Sequence, residues 1–143
     1  AVHKYLNKIS GPLLDRIDLH VEVTPVPFSE LTMQKNAEPS EAIRARVIQA
    51  RDIQMQRYKD HPEIYCNAQM NSKLLKEVCV LNAAGQTLLR TAMSKLNLSA
   101  RAYDRIIKVS RTIADLATSD VILPEHVAEA ITYRNLDREG WGG

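Results

Sequence analysis

Apolar and polar residues alternate strictly near the front of the chain, where Ile17, Leu19, Val21 and Val23 are interleaved with Asp18, His20 and Glu22. A period of two puts one apolar and one polar face on an extended backbone and predicts a strand over 17–23. Pro25 and Pro27 end it, because proline cannot donate to a ladder. Ahead of it, residues 1–10 read as a short helix or the end of one, broken by Gly11-Pro12. Behind it, a polar stretch runs to Pro39.

From there the period becomes helical. Ser40 is placed as an N-cap with Glu41 in the first turn, and Ile43, Val47 and Ala50 recur at helical spacing until His61-Pro62 stops the helix near Lys59. A short helix follows from Met70 to about Val80. Gly85 reads as a separator before a helix over 86–96 with Leu88, Leu89, Ala92, Met93 and Leu96 on one stripe and Asn97 as its C-terminal cap. Ser99 caps the next helix, which runs to about Ala117 and sets Ala102, Ile106, Val109, Ile113 and Leu116 on one face. Pro124 suits the first position of a last helix that runs to about Asn135, with Glu125 near its positive end. Residues 136–143 read as a loose tail. The fold class is therefore mainly α, with one strand at the front. A lone strand leaves its backbone groups unpaired, so 17–23 is expected to join a sheet lying elsewhere, to pair with a second copy, or to lie against the helices. A small internal hairpin is the alternative, but no partner strand stands out.

Composition sharpens this only a little. The chain has 143 residues, 45% apolar and 25% charged, enough for one domain with its own core. With one Phe and one Trp, that core must be aliphatic. A net charge of +2 is too small to argue for nucleic acid or acidic lipid by itself. No apolar run approaches the roughly 20 residues that span a bilayer, and no signal-peptide pattern opens the chain. Cys66 and Cys79 lack metal-ligand spacing and read as reduced thiols of a cytoplasmic protein. The histidines at 3, 20, 61 and 126 are scattered, so no metal site is expected.

The chemistry is incomplete. The glycines lie at 11, 85, 140, 142 and 143, and none forms a phosphate-binding GxxxxGK[ST] loop. No nucleophile–base arrangement stands out. Taken alone, the chain is not expected to be an enzyme. Two segments are unusual. In Ser10-Gly-Pro-Leu-Leu-Asp-Arg-Ile-Asp-Leu19, Arg16 immediately precedes the strand. In the stretch from Leu98 to Leu116, Arg101 lies in the first turn of a helix. A guanidinium there adds positive charge to an already positive helix end. That is unfavourable unless an anion visits, and arginine grips phosphate with a planar charged fork.

These segments carry a resemblance. GPLLDRIDL, residues 11–19, resembles the arginine-finger segment of the magnesium-chelatase/MCM branch of AAA+ ATPases. LSARAYDRIIKVSRTIADL, residues 98–116, resembles the sensor-2 helix of the ComM/YifB members of that branch. The stretch from Pro124 to Arg134 resembles the last helix of their lid. The resemblance implies a C-terminal part of such an ATPase, divided as 1–27 (end of the AAA+ core, with finger and last core strand), 28–39 (linker), 40–138 (helical lid) and 139–143 (tail). It implies that Arg16 is the arginine finger, acting in trans on ATP held by a neighbouring subunit, and that Arg101 is the sensor-2 arginine at the γ-phosphate. It further implies ATP and Mg2+ as cofactors of the whole protein, none bound by this piece alone. The expected partners are its own N-terminal AAA+ core and a homo-oligomeric ring, usually a hexamer. The whole protein is expected to be an ATP-driven DNA motor, a branch-migration helicase. The competing reading is a non-enzymatic helical module that binds nucleic acid or protein through basic helix faces. In that reading Arg16 pairs with Asp15 or Asp18. Arg101, Arg105, Lys108 and Arg111 share one face, either as a phosphate stripe or as a solvated surface mixed with Asp104 and Asp115.

Overall fold

The computed structural model describes residues 10–21, 23–28 and 37–134. Nearly all of the segment expected as a short helix over 1–10, the end of the last helix at Asn135, the tail, and most of the linker lie outside the described residues. Within them there are six α-helices: α1 (Gly11–Leu14), α2 (Ser40–Arg57), α3 (Ser72–Val78), α4 (Ala83–Lys95), α5 (Ala100–Leu116) and α6 (Pro124–Thr132). A 3-10 turn, Asn67–Gln69, joins α2 to α3. The mainly helical expectation therefore holds, with boundaries set by local chemistry. Three helices begin under a side-chain cap: Asn71 Oδ1 accepts from the Leu74 amide at 2.9 Å, Asn82 Oδ1 from the Gly85 amide at 2.8 Å, and Ser99 Oγ from the Ala102 amide at 3.2 Å. At α6, Pro124 occupies the first turn and His126 Nδ1 accepts from the Leu123 amide at 3.0 Å. Asn97 ends α4 at φ 49°, and the Leu98 amide reaches back to the Met93 carbonyl at 3.0 Å, the bond that closes a left-handed helix terminus.

α5 is the central element. Ala102, Ile106, Ile107 and Ala114 are buried on it, and the last three share one core with Val127, Ala130 and Ile131 of α6, Leu89 of α4, and Leu74 and Leu75 of α3. α4 also packs on α6, and an isolated parallel bridge between Leu81 and Ile122 joins the two chain segments leading into them.

Where α2 meets α5 the interface is polar. Asp115 is 1% exposed and accepts from Arg57 Nη1 at 2.8 Å, Arg57 Nη2 at 2.5 Å, Asn67 Nδ2 at 2.8 Å and Arg111 Nε at 3.1 Å. Tyr58 donates to Asn67 Oδ1 at 2.6 Å. Arg111 also donates to the carbonyls of Ser119 and Asp120. Both guanidiniums are thus matched to one carboxylate, as burial of charge requires.

Four expectations are corrected. Gly85 does not separate helices; it lies in the first turn of α4, and a Cβ there would meet Asn82 Oδ1 at 3.3 Å and Val127 Cγ2 at 3.8 Å, so close packing explains it. Ser40 is not the cap of α2 but its first residue; Pro39 holds the cap position without a side-chain bond. Arg111 is buried in the core network, not on a solvated stripe. Finally, residues 17–21 and 23 form no strand among the described residues; Asp18 lies in a bend, and the side chains are turned the opposite way from the expected face. His20 is buried, whereas Ile17, Leu19, Val21 and Val23 are exposed. The cause lies largely across the chain: the His20 amide donates to the Tyr133 carbonyl at 2.8 Å, and its Nε2 lies 3.3 Å from the Leu14 carbonyl, so the polar edge is fastened to the end of α6.

Candidate phosphate-binding cleft

Arg16 sits in the turn after α1, where its amide donates to the Leu13 carbonyl at 3.0 Å. Arg101 is the second residue of α5. The fold brings both to one cleft of about 260 Å³, lined by Asp15, Arg16, Arg101, Asp104, Arg105 and Lys108.

The four cations of this cleft are not equivalent. Arg105 Nη1 donates to Asp18 at 2.8 Å. Lys108 Nζ donates to the carbonyls of Ala68 at 2.9 Å and Met70 at 2.7 Å. Asp15 lies 3.9 Å from Arg134. The two acids that sequence reasoning set beside Arg16 are therefore directed to other arginines. Arg16 and Arg101 are both exposed, and among the described residues neither guanidinium has a hydrogen bond or ion pair. Two permanent cations held in one hollow without an acid partner suit a dianionic oxygen group such as a terminal phosphate. The neighbouring amides at the start of α5 add positive potential.

Sequence reasoning named Asp18 and Arg105 but not their pairing with each other, and it missed the role of Arg134. Arg134 is 1% exposed and donates to the Ile17 carbonyl, 117 residues away in the chain. The only signal for Arg105 was its place one turn after Arg101. No local pattern pointed to Arg134.

A more apolar hollow of about 250 Å³ lies on the other side of Lys108, lined in part by Leu19, Val109, Ile113 and Tyr133. Apart from Lys108 it offers no cation. Among the described residues no three His, Cys, Asp or Glu side chains gather into a metal-ligand set, and no helix is long and apolar enough to cross a membrane.

Comparison with known proteins gives a consistent picture. The C-terminal profile of magnesium chelatase subunit ChlI matches residues 37–134, and the profile of magnesium chelatase subunit ChlI itself matches residues 1–31. The competence protein ComM of Haemophilus influenzae is 44% identical over 138 residues, covering 96% of this chain and 26% of that protein. YifB of Escherichia coli is 38% identical over 138 residues, with 94% and 26% covered. A Mycobacterium tuberculosis protein is 34% identical over 131 residues, with 92% and 26% covered. The chain thus spans about a quarter of the length of these relatives.

Proposed function

Because this chain belongs to the magnesium-chelatase-like family, in the group of ComM and YifB, we propose that it is the lid and arginine-finger portion of an AAA+ ATPase. In this reading Arg16 and Arg101 both address the γ-phosphate of ATP held at a subunit interface. The observation that carries it is the shared cleft, in which these two cations alone have no acid or carbonyl partner among the described residues. Arg16 acts in trans, offsetting charge that builds up on the transferring phosphoryl group. Arg101 couples the lid helices to the state of the nucleotide. Mg2+ would be held with the β- and γ-phosphates by residues elsewhere in the whole protein.

The exposed set Ile17, Leu19, Val21 and Val23 supports docking of this segment onto the sheet of the protein's own N-terminal core. The gap between the two profile matches, from 31 to 37, supports a boundary between core and lid there. The whole protein is proposed to assemble as a ring, a hexamer, in the cytoplasm and to act as an ATP-driven DNA motor. The name of its Haemophilus relative, a competence protein, supports that substrate class. The alternative of a nucleic-acid module with a basic helix face is disfavoured by the engagement of Arg105, Lys108 and Arg111 within the chain.

The test is a mixing assay on the full-length protein. Arg16→Ala subunits and subunits with a substituted P-loop lysine are each expected to be nearly inactive, and ATP hydrolysis is expected to return when they are mixed. Wild-type turnover by Arg16→Ala alone would remove Arg16 from the site.

A further inference from the structure

Among the described residues, Arg16 and Arg101 are held in one cleft by few direct links. The turn bearing Arg16 touches α5 through the ion pair of Asp18 with Arg105. Asp18 is two residues past Arg16, and Arg105 is one helical turn past Arg101. The same turn is held to the end of α6 by Arg134 at the Ile17 carbonyl and by the His20 amide at the Tyr133 carbonyl. Of these ties only Asp18–Arg105 runs directly to the helix that carries Arg101. It is also the half-open one, with side-chain exposures of 44% and 33%. An exposed pair contributes little to global stability, so its value must lie in geometry.

We propose that Asp18 and Arg105 are positioning residues of the ATP site: their ion pair fixes the spacing between Arg16 and Arg101, so that finger turn and lid helix move as one body when nucleotide binds. The proposal rests on the reading of Arg16 and Arg101 given above. Arg105 serves by being neutralised. Its charge is committed to Asp18, which leaves the two partnerless arginines to face the phosphate. The position of a transition-state cation is steeply coupled to rate, since a displacement of about 1 Å can cost on the order of a hundredfold.

The experiment is steady-state ATP hydrolysis by the full-length protein carrying Asp18→Ala, Arg105→Ala, or the exchanged pair Asp18→Arg with Arg105→Asp, with Arg16→Ala in parallel. Each single substitution is expected to lower kcat by about tenfold or more while KM for ATP stays within about twofold, the pattern of an interaction that matters in the transition state. The loss in Asp18→Ala is the discriminating readout. That change makes the cleft more positive, so a purely electrostatic role would leave kcat unchanged or raise it. The exchanged pair is expected to recover most of the loss, and in an Arg16→Ala background Arg105→Ala is expected to add little, because residues that act as a unit are not additive. Wild-type kcat in Asp18→Ala, or failure of the exchanged pair to recover in a protein of unchanged melting temperature, would overturn the proposal and leave the finger reading intact. If Arg16→Ala itself keeps full turnover, the finger reading fails and the positioning role falls with it.

Discussion

Asp115 holds together two guanidiniums, an amide and the end of a helix, and its four bonds come from three elements. The same bonds act on the partners: hydrogen bonding to Asp115 is the main reason the Arg57 pKa is raised above its ordinary value. Asp115→Ala would leave Arg111 buried without a counter-charge, and breaking a buried pair in this way costs about 3–5 kcal/mol. Chemical denaturation should show a loss of that size. Thr118 is a second residue with a separable effect. It ends α5 at φ 53°, where a β-branched side chain is strained. Thr118→Asn keeps the closing bond from the Ser119 amide to the Ala114 carbonyl, 2.8 Å, and should stabilise by about 1 kcal/mol, or raise the melting temperature by about 3 °C. An unchanged or lower melting temperature would show that the strain is relieved elsewhere.

At the scale of elements, legibility followed locality. The Ser99 cap, the Asn97 terminus and the Pro124 start are all set by residues within one helical turn of each other, so spacing alone predicted them, whereas the α5 stripe was only half right: Ala102 and Ile106 are buried, but Leu116 is exposed. Ser99→Ala should therefore cost about 1 kcal/mol by equilibrium unfolding. What the sequence hid was set by contacts across the chain. Gly85 is the exception, since its cause is local: a Cβ there would press on the capping Asn82 Oδ1 at 3.3 Å, while Val127 Cγ2 at 3.8 Å is in ordinary contact. The period-two pattern of 17–23 implied a strand, whereas the described residues there form none and Asp18 lies in a bend. It could not say which face is covered, because two bonds to Tyr133 and Leu14 decide that His20 turns inward. The cleft was half legible: Arg16 and Arg101 were singled out from their segments, whereas Asp18, Arg105 and Arg134 acquire their roles only from the fold.

For the whole molecule, burial has a consequence at alkaline pH. Desolvation raises the Tyr58 hydroxyl to about 12 and the Cys79 thiol to about 11, from ordinary values of 10.0 and 9.0. The folded chain therefore keeps protons that the unfolded chain sheds, and stability falls as pH rises while only the unfolded state is ionised. The full contribution is present below about pH 9 and is lost between about pH 9 and pH 12. Melting temperature should decline across that window, and Tyr58→Phe should flatten the upper part of the decline even though it starts from a lower value. The same burial should protect Cys79 from alkylation at pH 8, while the more accessible Cys66 reacts.

The bond from Arg134 to the Ile17 carbonyl spans 117 residues, and it puts the Arg16 turn on a schedule. Contacts of such separation form late, because the intervening chain must be ordered before the loop closes favourably. On the ribosome the delay is physical: at ~5–20 residues per second, Arg134 is added on the order of ten seconds after Ile17. For that interval the Arg16 turn lacks its tie to the end of α6, and until Arg105 follows it lacks its tie to α5 as well. Proteolysis at the Arg16 turn should thus be faster in a nascent chain halted before α6 than in one that carries it.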